Sequence, residues 1–205
     1  MLESGAMNKL NIAKRAQILG MLVEGNSMRA TSRMADCSIN TVTKLLVDVG
    51  TACSQYQHET LRNLPCKTIQ CDEIWSFCYS KEKNVPEDRK GEFGVGDVYT
   101  WTALCADTKL VPSFLVGKRD AYYGHAFMLD LASRLLNRVQ LTTDGHKVYL
   151  SAVENAFGSE IDYAMLVKVY GASDATNDER RYSPAVCTGA EIHPISGTPD
   201  ITKAS

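Results

Sequence analysis

The chain has 205 residues, of which 44% are hydrophobic, and its formal net charge is −2. This length is enough for one well-buried core with a small additional domain, and the near-neutral charge excludes a protein that is strongly basic overall. No apolar run approaches the ~18 residues of a membrane span, and the seven irregularly spaced cysteines favour a reducing compartment over a disulfide scaffold.

The first helix is predicted over residues 11–23. Apolar side chains recur there at helical spacing, and the face they form contains Ile12, Ala16, Leu19 and Val23. The Gly-Asn pair at 25–26 is expected to end the helix, because both residue types tolerate a left-handed backbone.

Two shorter helices are predicted next, over 28–35 and over 39–49, with Gly50 ending the second. Their predicted mutual contacts are Ala30, Met34, Val42 and Leu46. The short turn between them resembles the helix-turn-helix of DNA-binding proteins, in which the second helix enters the major groove with its N-terminal residues. The predicted groove-facing residues are therefore Asn40, Thr41, Thr43 and Lys44, and a plain three-helix bundle is the alternative.

A carboxylate pair interrupts the next predicted element, a strand over 68–77. The residues on both sides of Asp72 and Glu73 are β-branched, aromatic or apolar. Burying a carboxylate there costs several kcal/mol unless something compensates, and a metal ion is one such compensation. Glu73 is expected to point to the opposite sheet face as a supporting or surface residue, and Trp75 and Phe77 to be core residues rather than a base-stacking platform.

The remaining predicted elements are strands over 98–106, 110–116, 139–143 and 163–169, and helices over 122–136 and 149–157. Short links between the first three strands indicate an antiparallel meander. The order βββαβαβ predicts an α/β fold with a ribonuclease-H-like mixed sheet over 61–190. A small all-α helix-turn-helix region, 1–60, precedes it, and an irregular tail, 191–205, follows.

Asp144 ends the fourth predicted strand and is followed by Gly145 and His146. In the ribonuclease-H-like arrangement this strand lies beside the first, so Asp72 and Asp144 are expected to converge. Two adjacent carboxylates repel unless a cation lies between them, and their hard oxygen atoms favour Mg²⁺ or Mn²⁺. Gly145 is expected to permit a sharp turn. His146 is expected to cap the next helix, and the segment 118–120 to be a solvated strand end. Contact with a phosphate group is the alternative for both.

Three short blocks carry a family resemblance: CDEIWSF at 71–77, LTTDGH at 141–146 and RYSP at 181–184. Together they resemble the DDE transposases of bacterial insertion sequences, with the "IS one" family as the nearest group, over about residues 8–190. The resemblance implies metal-dependent cleavage and transfer of DNA strands, with Asp72 and Asp144 as catalytic, metal-binding residues. It also implies Mg²⁺ or Mn²⁺ as cofactor, terminal inverted repeats and target DNA as partners, a homo-oligomer, and a location at the nucleoid in the bacterial cytoplasm.

The third acid of that family is a glutamate on a helix beyond the fifth strand, near a Val-Glu-Arg-Gln-Asn block that this sequence lacks. We therefore interpret the chain as a C-terminally truncated transposase with impaired activity. Glu179 is the candidate replacement for this third acid, although the pattern of its neighbours indicates a loop. Glu154 is expected to face solvent.

Two alternatives stay open. In the first, the chain is a non-cutting DNA-binding remnant that represses or poisons a full-length transposase. In the second, it is a ribonuclease-H-like nuclease that acts on another nucleic acid. Sequence-specific binding without cleavage distinguishes the first alternative, and a preference for RNA–DNA hybrids distinguishes the second.

Overall fold

A computed structural model describes residues 10–171 and 187–204. The chain divides into two compact units, Met1–Thr60 and Leu61–Ser205. Within the described ranges, no helix is both long and apolar enough to cross a membrane. Glu179 and the RYSP block at 181–184 lie outside the described residues.

The first unit consists of three helices: α1 (Ile12–Val23), α2 (Met28–Met34) and α3 (Ile39–Thr60). The side chains of Asn11 and Ser27 accept hydrogen bonds from backbone N–H groups in the first turns of α1 and α2, as N-cap residues do. Gly25 follows α1 with φ +83°, which confirms the predicted left-handed stop.

The core of this unit differs from the predicted one. Its fully buried apolar residues are Ile18, Ala35 and Val42, whereas Ile12 and Val23 are 84% and 85% exposed. The predicted face of α1 is therefore wrong, because a second stripe containing Ile18, Met21 and Leu22 has the same helical spacing and is the one that packs. Of the predicted contacts between α2 and α3, Met34 and Leu46 are exposed.

Gly50 does not end the third helix, which continues to Thr60. A single glycine in a helix costs about 1 kcal/mol relative to alanine and does not by itself break it. Pairs four residues apart support the helix on either side of Gly50. Lys44 contacts Asp48 at 2.9 Å, and the side chain of Gln55 donates to Glu59 at 2.9 Å.

The second unit is built on a six-stranded sheet. Its strands are β1 (Thr68–Cys78), β2 (Gly96–Cys105), β3 (Ser113–Gly117), β4 (Val139–Thr143), β5 (Ile161–Tyr170) and β6 (Cys187–Ser196). Their spatial order is β3-β2-β1-β4-β5-β6. The first three strands are antiparallel, β4 and β5 run parallel to β1, and β6 is antiparallel to β5. The predicted ribonuclease-H-like mixed α/β sheet is confirmed.

The sixth strand corrects the prediction of an irregular tail over 191–205. β6 pairs with β5 through Leu166↔Ile192 and neighbouring residues. The sequence of β6 contains Gly189 and Pro194, residue types that are uncommon in strands, but proline is tolerated on a sheet edge where its missing N–H faces no partner.

Two helices, α4 (Ala121–Ala132) and α5 (Val148–Phe157), pack on one face of the sheet. The buried strand residues on that face alternate with those on the other, as the period of two requires. The helix-covered core contains Ile69, Cys71, Trp101, Ala103, Leu141, Phe127, Met128, Leu131, Tyr149, Ala152 and Val153.

Trp75 and Phe77 lie outside this core, so their predicted burial is wrong. They are 43% and 47% exposed, and every residue from Ile74 to the end of β1 is exposed. The core ends at Cys71 because β1 is longer than the helix-covered part of the sheet. The Trp75 ring lies 5.7 Å from that of Phe77, and the ammonium of Lys81 lies 5.0 Å above the Trp75 ring.

An ion pair within α4 and its following turn predicts a stability effect. Arg134 binds both carboxylate oxygens of Asp130, at 2.7 and 3.0 Å, and is itself buried. We expect Arg134→Ala to lower the free energy of unfolding by about 2 kcal/mol in urea titrations, because a partly buried carboxylate loses its counter-charge. The exposed pair of Lys44 and Asp48 is the control, and Lys44→Ala should cost less than about 0.5 kcal/mol.

The Arg134 effect should also depend on pH. Burial raises the pKa of Asp130, but hydrogen bonds from Arg134 and Ser113 outweigh it and hold the pKa below its ordinary value. A carboxyl whose pKa is lower in the folded state contributes stability above its unfolded pKa of about 4 and loses it as the pH falls. A difference between native chain and variant that stays constant from pH 7 to pH 2 contradicts this assignment.

Candidate functional site

The parallel pairing of β1 and β4 brings three carboxylates together. The register Ile69↔Leu141 and Cys71↔Thr143 places Asp72 and Asp144 side by side, each just beyond the last paired residue. One carboxylate oxygen each from Asp72, Glu73 and Asp144 lies within 4.8 Å of the others. The structure thus brings the two predicted aspartates together and adds Glu73 to them.

Asp72 is the open member of the cluster. Its side chain is exposed and accepts a hydrogen bond from the backbone N–H of Glu73 at 2.8 Å. The expectation that Asp72 is desolvated inside its strand is therefore wrong, because it lies on the sheet face opposite the helices. It lines a groove of about 300 Å³ with Gln70, Thr102, Leu104, Thr142, Asp144, Leu166 and Lys168.

Asp144 is positioned by the loop that follows β4. Its Oδ1 accepts a hydrogen bond from the backbone N–H of His146 at 2.9 Å, which leaves Oδ2 directed at other groups. The backbone bends at Gly145, as expected, although its φ is not positive. A Cβ atom there would approach Val167 to 3.2 Å, so close contact with β5 explains the glycine.

Glu73 points to the helix side of the sheet, as predicted, but it is not a surface residue. Its side chain is only 2% exposed, and Arg119 Nε donates to Oε2 at 3.0 Å. Oε1 is buried, and the Glu73 carboxylate lies within hydrogen-bonding range of the Tyr149 hydroxyl. Because β4 ends at Thr143, side chains from both faces of β1 can meet Asp144 around the free strand edge.

Arg119 joins the cluster from the turn between β3 and α4. Its Nη2 donates to Asp144 Oδ2 at 3.0 Å while its Nε contacts Glu73, so one guanidinium bridges two acids. Neighbouring contacts hold this turn in place. The Trp101 indole donates to the Lys118 carbonyl at 3.1 Å, and Asp120 caps α4. The segment 118–120 is exposed directly after β3, as the sequence suggested, but the Arg119 side chain turns from it into the acidic cluster.

The charges of this cluster shift the pKa values of its neighbours. Burial lowers the pKa of Arg119, but the nearby Glu73 and Asp144 carboxylates outweigh it and raise the value above the ordinary one. Burial, reinforced by Glu73, raises the pKa of Tyr149. Burial and then Asp72 and Glu73 act together to raise the pKa of the Cys71 thiol.

His146 packs as an aromatic residue. Its ring centroid lies 6.0 Å from that of Trp101 and 6.1 Å from that of Tyr149. Burial and the adjacent Arg119 lower its pKa, against the opposing effect of Glu73 and Asp144. The predicted capping role is wrong for the side chain, because only its backbone carbonyl accepts a bond at the start of α5, from Tyr149.

The donor set fits a hard divalent cation. Three carboxylates share this site with a single guanidinium, and carboxylate oxygens are the ligands that Mg²⁺ and Mn²⁺ prefer. Asp72 is exposed and Asp144 is partly exposed, so an ion can reach both from the groove. An adjoining depression of about 590 Å³ is lined by Asp72, Asp144, Arg119, Lys147 and Lys168 among others.

The predicted DNA-reading residues lie at the start of α3. Asn40, Thr43 and Lys44 are exposed and Thr41 is half-buried. Thr43 bonds to the Ile39 carbonyl at 3.0 Å, and Lys44 is held by Asp48. The four residues thus share one exposed helix end.

No known protein-family model matches the chain, and no curated protein matches its sequence. Among solved structures, the chain is similar to a piggyBac transposase in a cryo-EM structure of its synaptic complex with hairpin DNA. The sequence identity is 11% and the TM-score is 0.44, over 88% of this chain and 48% of that one. The chain therefore spans about half the length of that transposase.

Proposed function

We propose that this chain acts on DNA phosphodiesters with a divalent metal ion held by Asp72 and Asp144, as a DDE-type transposase. The observation that carries the proposal is the meeting of strand-borne carboxylates within 4.8 Å at an open groove of a ribonuclease-H-like sheet. The sequence resemblance to transposases of bacterial insertion sequences supports the same chemistry and suggests the ends of such an element as substrate.

In this proposal each residue of the site has its own role. Asp72 and Asp144 are the accessible carboxylates and serve as the metal ligands, and the His146 N–H fixes the orientation of Asp144. A divalent ion bound there supplies Lewis-acid chemistry that promotes attack of water or a 3′-hydroxyl on the phosphate. Lys147 and Lys168 line the adjoining depression, where they neutralise the charge of a DNA backbone.

The N-terminal helices supply DNA binding in this proposal. The exposed N-terminal end of α3 presents Asn40, Thr41, Thr43 and Lys44, and a helix with such an end fits the major groove. Terminal inverted repeats are the DNA that this role requires. Assembly of several copies on two DNA ends follows from the resemblance alone.

A second candidate function is DNA binding without cleavage. Arg119 pairs with both Glu73 and Asp144 in the structure, so part of the charge of the carboxylates is compensated without a metal ion. The first unit has its own buried core of Ile18, Ala35 and Val42, which is separate from the acidic site. A chain that binds DNA in this way competes with an active transposase for the same ends.

The proposal predicts Mn²⁺-dependent nicking of supercoiled DNA. We expect Asp72→Asn to reduce the nicking rate at least about 100-fold, because the amide is a neutral and weaker metal ligand. Asp88→Asn, an exposed acid outside the cluster, is the matched control and should nick like the native chain. Circular dichroism checks that each variant is folded.

Three results of this assay separate the candidates. Nicking by the native chain that Asp72→Asn abolishes supports the transposase chemistry. Equal nicking by the native chain and Asp72→Asn rejects Asp72 as a metal ligand. DNA binding by a folded native chain that does not nick supports the binding-only function.

The DNA-binding role predicts opposite effects at two neighbouring positions of α3. Lys44 pairs with Asp48 at 2.9 Å and must leave it to contact a phosphate. We expect Lys44→Ala to weaken DNA binding. It should also reduce the slope of the log binding constant against log[salt] by the amount that about one phosphate contact contributes. Asp48→Ala should strengthen binding, because it removes the competing carboxylate.

Fluorescence anisotropy with a random-sequence duplex at several salt concentrations measures both effects. Arg89→Ala, which removes a cation of the second unit that is paired with Glu92, is the control. Identical affinities for the native chain, Lys44→Ala and Asp48→Ala would place the DNA-binding surface elsewhere.

A further inference from the structure

Arg119 makes two contacts of different character within the acidic cluster. Its Nε contacts Glu73, whose side chain is 2% exposed, and its Nη2 contacts Asp144, whose side chain is 36% exposed, each at 3.0 Å. The first contact is buried and the second faces the groove. One guanidinium thus has a fixed end and an accessible end.

The contact with Glu73 is the permanent one. Glu73 is almost completely buried, and Arg119 is its partner in an ion pair. A buried carboxylate that loses its cation is strongly destabilising. The turn that carries Arg119 is also held on both sides, by the bond from Trp101 to the Lys118 carbonyl and by Asp120 at the start of α4.

The contact with Asp144 is the exchangeable one. Asp144 Oδ1 is occupied by the His146 N–H, so Oδ2 is the oxygen that Arg119 and a metal ion both need. A guanidinium and a divalent cation at the same oxygen repel each other, so each weakens the binding of the other. Metal binding at Asp144 therefore favours the release of Nη2 of Arg119.

We propose that Arg119 is a phosphate-binding residue that a bound metal ion releases from Asp144, and that Glu73 is the residue that positions it. This inference rests on the proposed metal-dependent function. Displaced from Asp144 but still held by Glu73, the guanidinium keeps its terminal nitrogens beside the metal ligands. Arginine binds phosphate oxygens through such paired donors, so the class of ligand is a DNA phosphate group at the metal.

The first test is Mn²⁺ binding by isothermal titration calorimetry in the absence of DNA. Arg119→Ala should bind Mn²⁺ about tenfold more tightly than the native chain, because the ion no longer has to displace a charge-assisted hydrogen bond. Arg138→Ala removes another arginine–carboxylate pair of similar exposure, with Asp162, and should leave Mn²⁺ affinity unchanged. Equal or weaker Mn²⁺ binding by Arg119→Ala contradicts competition between Arg119 and the metal ion.

A double variant separates competition from net charge and from misfolding. Glu73→Gln combined with Arg119→Ala removes one negative and one positive charge, so the net charge of the cluster stays the same and no buried carboxylate is left unpaired. Mn²⁺ should again bind several-fold more tightly to this variant than to the native chain. Unchanged or weaker binding by the folded double variant overturns the proposal.

The second test examines the phosphate contact itself. In Mn²⁺, we compare the slope of log affinity against log[salt] for a short random duplex. This slope should be steeper for the native chain than for Arg119→Ala, by about 0.9. In EDTA, where Arg119 holds Asp144, the two slopes should be equal. Equal slopes in Mn²⁺, or the same difference under both conditions, contradict metal-controlled release.

The outcomes also separate this inference from the proposed function. If neither the native chain nor Arg119→Ala binds Mn²⁺, the metal site and the role of Arg119 both fail. If the native chain binds Mn²⁺ through Asp144, as loss of binding in Asp144→Ala shows, but Arg119→Ala binds no more tightly, only the role of Arg119 fails.

Discussion

The parallel pairing of β1 with β4 is the constraint on which the candidate site depends. It extends over four residue pairs, from Thr68↔Gln140 to Cys71↔Thr143, and stops where the acids begin. A slip of one residue would turn Asp72 toward the helices and Glu73 toward the groove. The buried side chains of Ile69, Cys71 and Leu141 oppose such a slip, because each would lose its place in the core. The packing of the sheet thus fixes the chemistry at its end.

The cluster places like charges together, and the surrounding structure compensates for this unequally. The Arg119 guanidinium and the His146 N–H satisfy Asp144, whereas Asp72 receives one local backbone N–H and otherwise faces the groove. Three acids near a single arginine therefore retain a net negative charge on the open side. In the proposed function, that imbalance attracts a small cation, while the lysines of the adjoining depression balance a larger anion.

The pattern of apolar residues along the chain predicted those elements whose formation depends on nearby residues. The strand 139–143 and the convergence of Asp72 with Asp144 followed from apolar runs and from the order of the elements, and both are present in the structure. The buried face of α1 could not be chosen, because two apolar stripes share the same period and only packing against α2 and α3 selects Ile18. The β6 strand escaped prediction because its pairing partner, β5, supplies the order that its own glycine and proline do not.

The contacts of Arg119 with Glu73 and Asp144 lay beyond sequence reasoning for a different reason. It lies 46 positions from Glu73 and 25 from Asp144 in the chain, so no local spacing connects the three residues. They meet because β3 runs antiparallel to β2, with Gly117 opposite Tyr99, and Tyr99 in turn opposite Trp75 on β1. The turn after β3 therefore emerges beside the middle of β1. Only the full sheet order contains that information.

Asp72 and Glu73 have different roles because successive side chains of a strand point to opposite faces of the sheet. Asp72 faces the open groove, where a carboxylate keeps much of its hydration and can exchange water for a metal ion. Glu73 faces the helix side, where burial makes the loss of its arginine costly and so makes the pair rigid. In the proposed function, Asp72 is the ligand that exchanges water for a metal ion, and Glu73 is the fixed residue that holds the phosphate-binding arginine. Two neighbouring positions of β1 supply both, because the period of a strand is two.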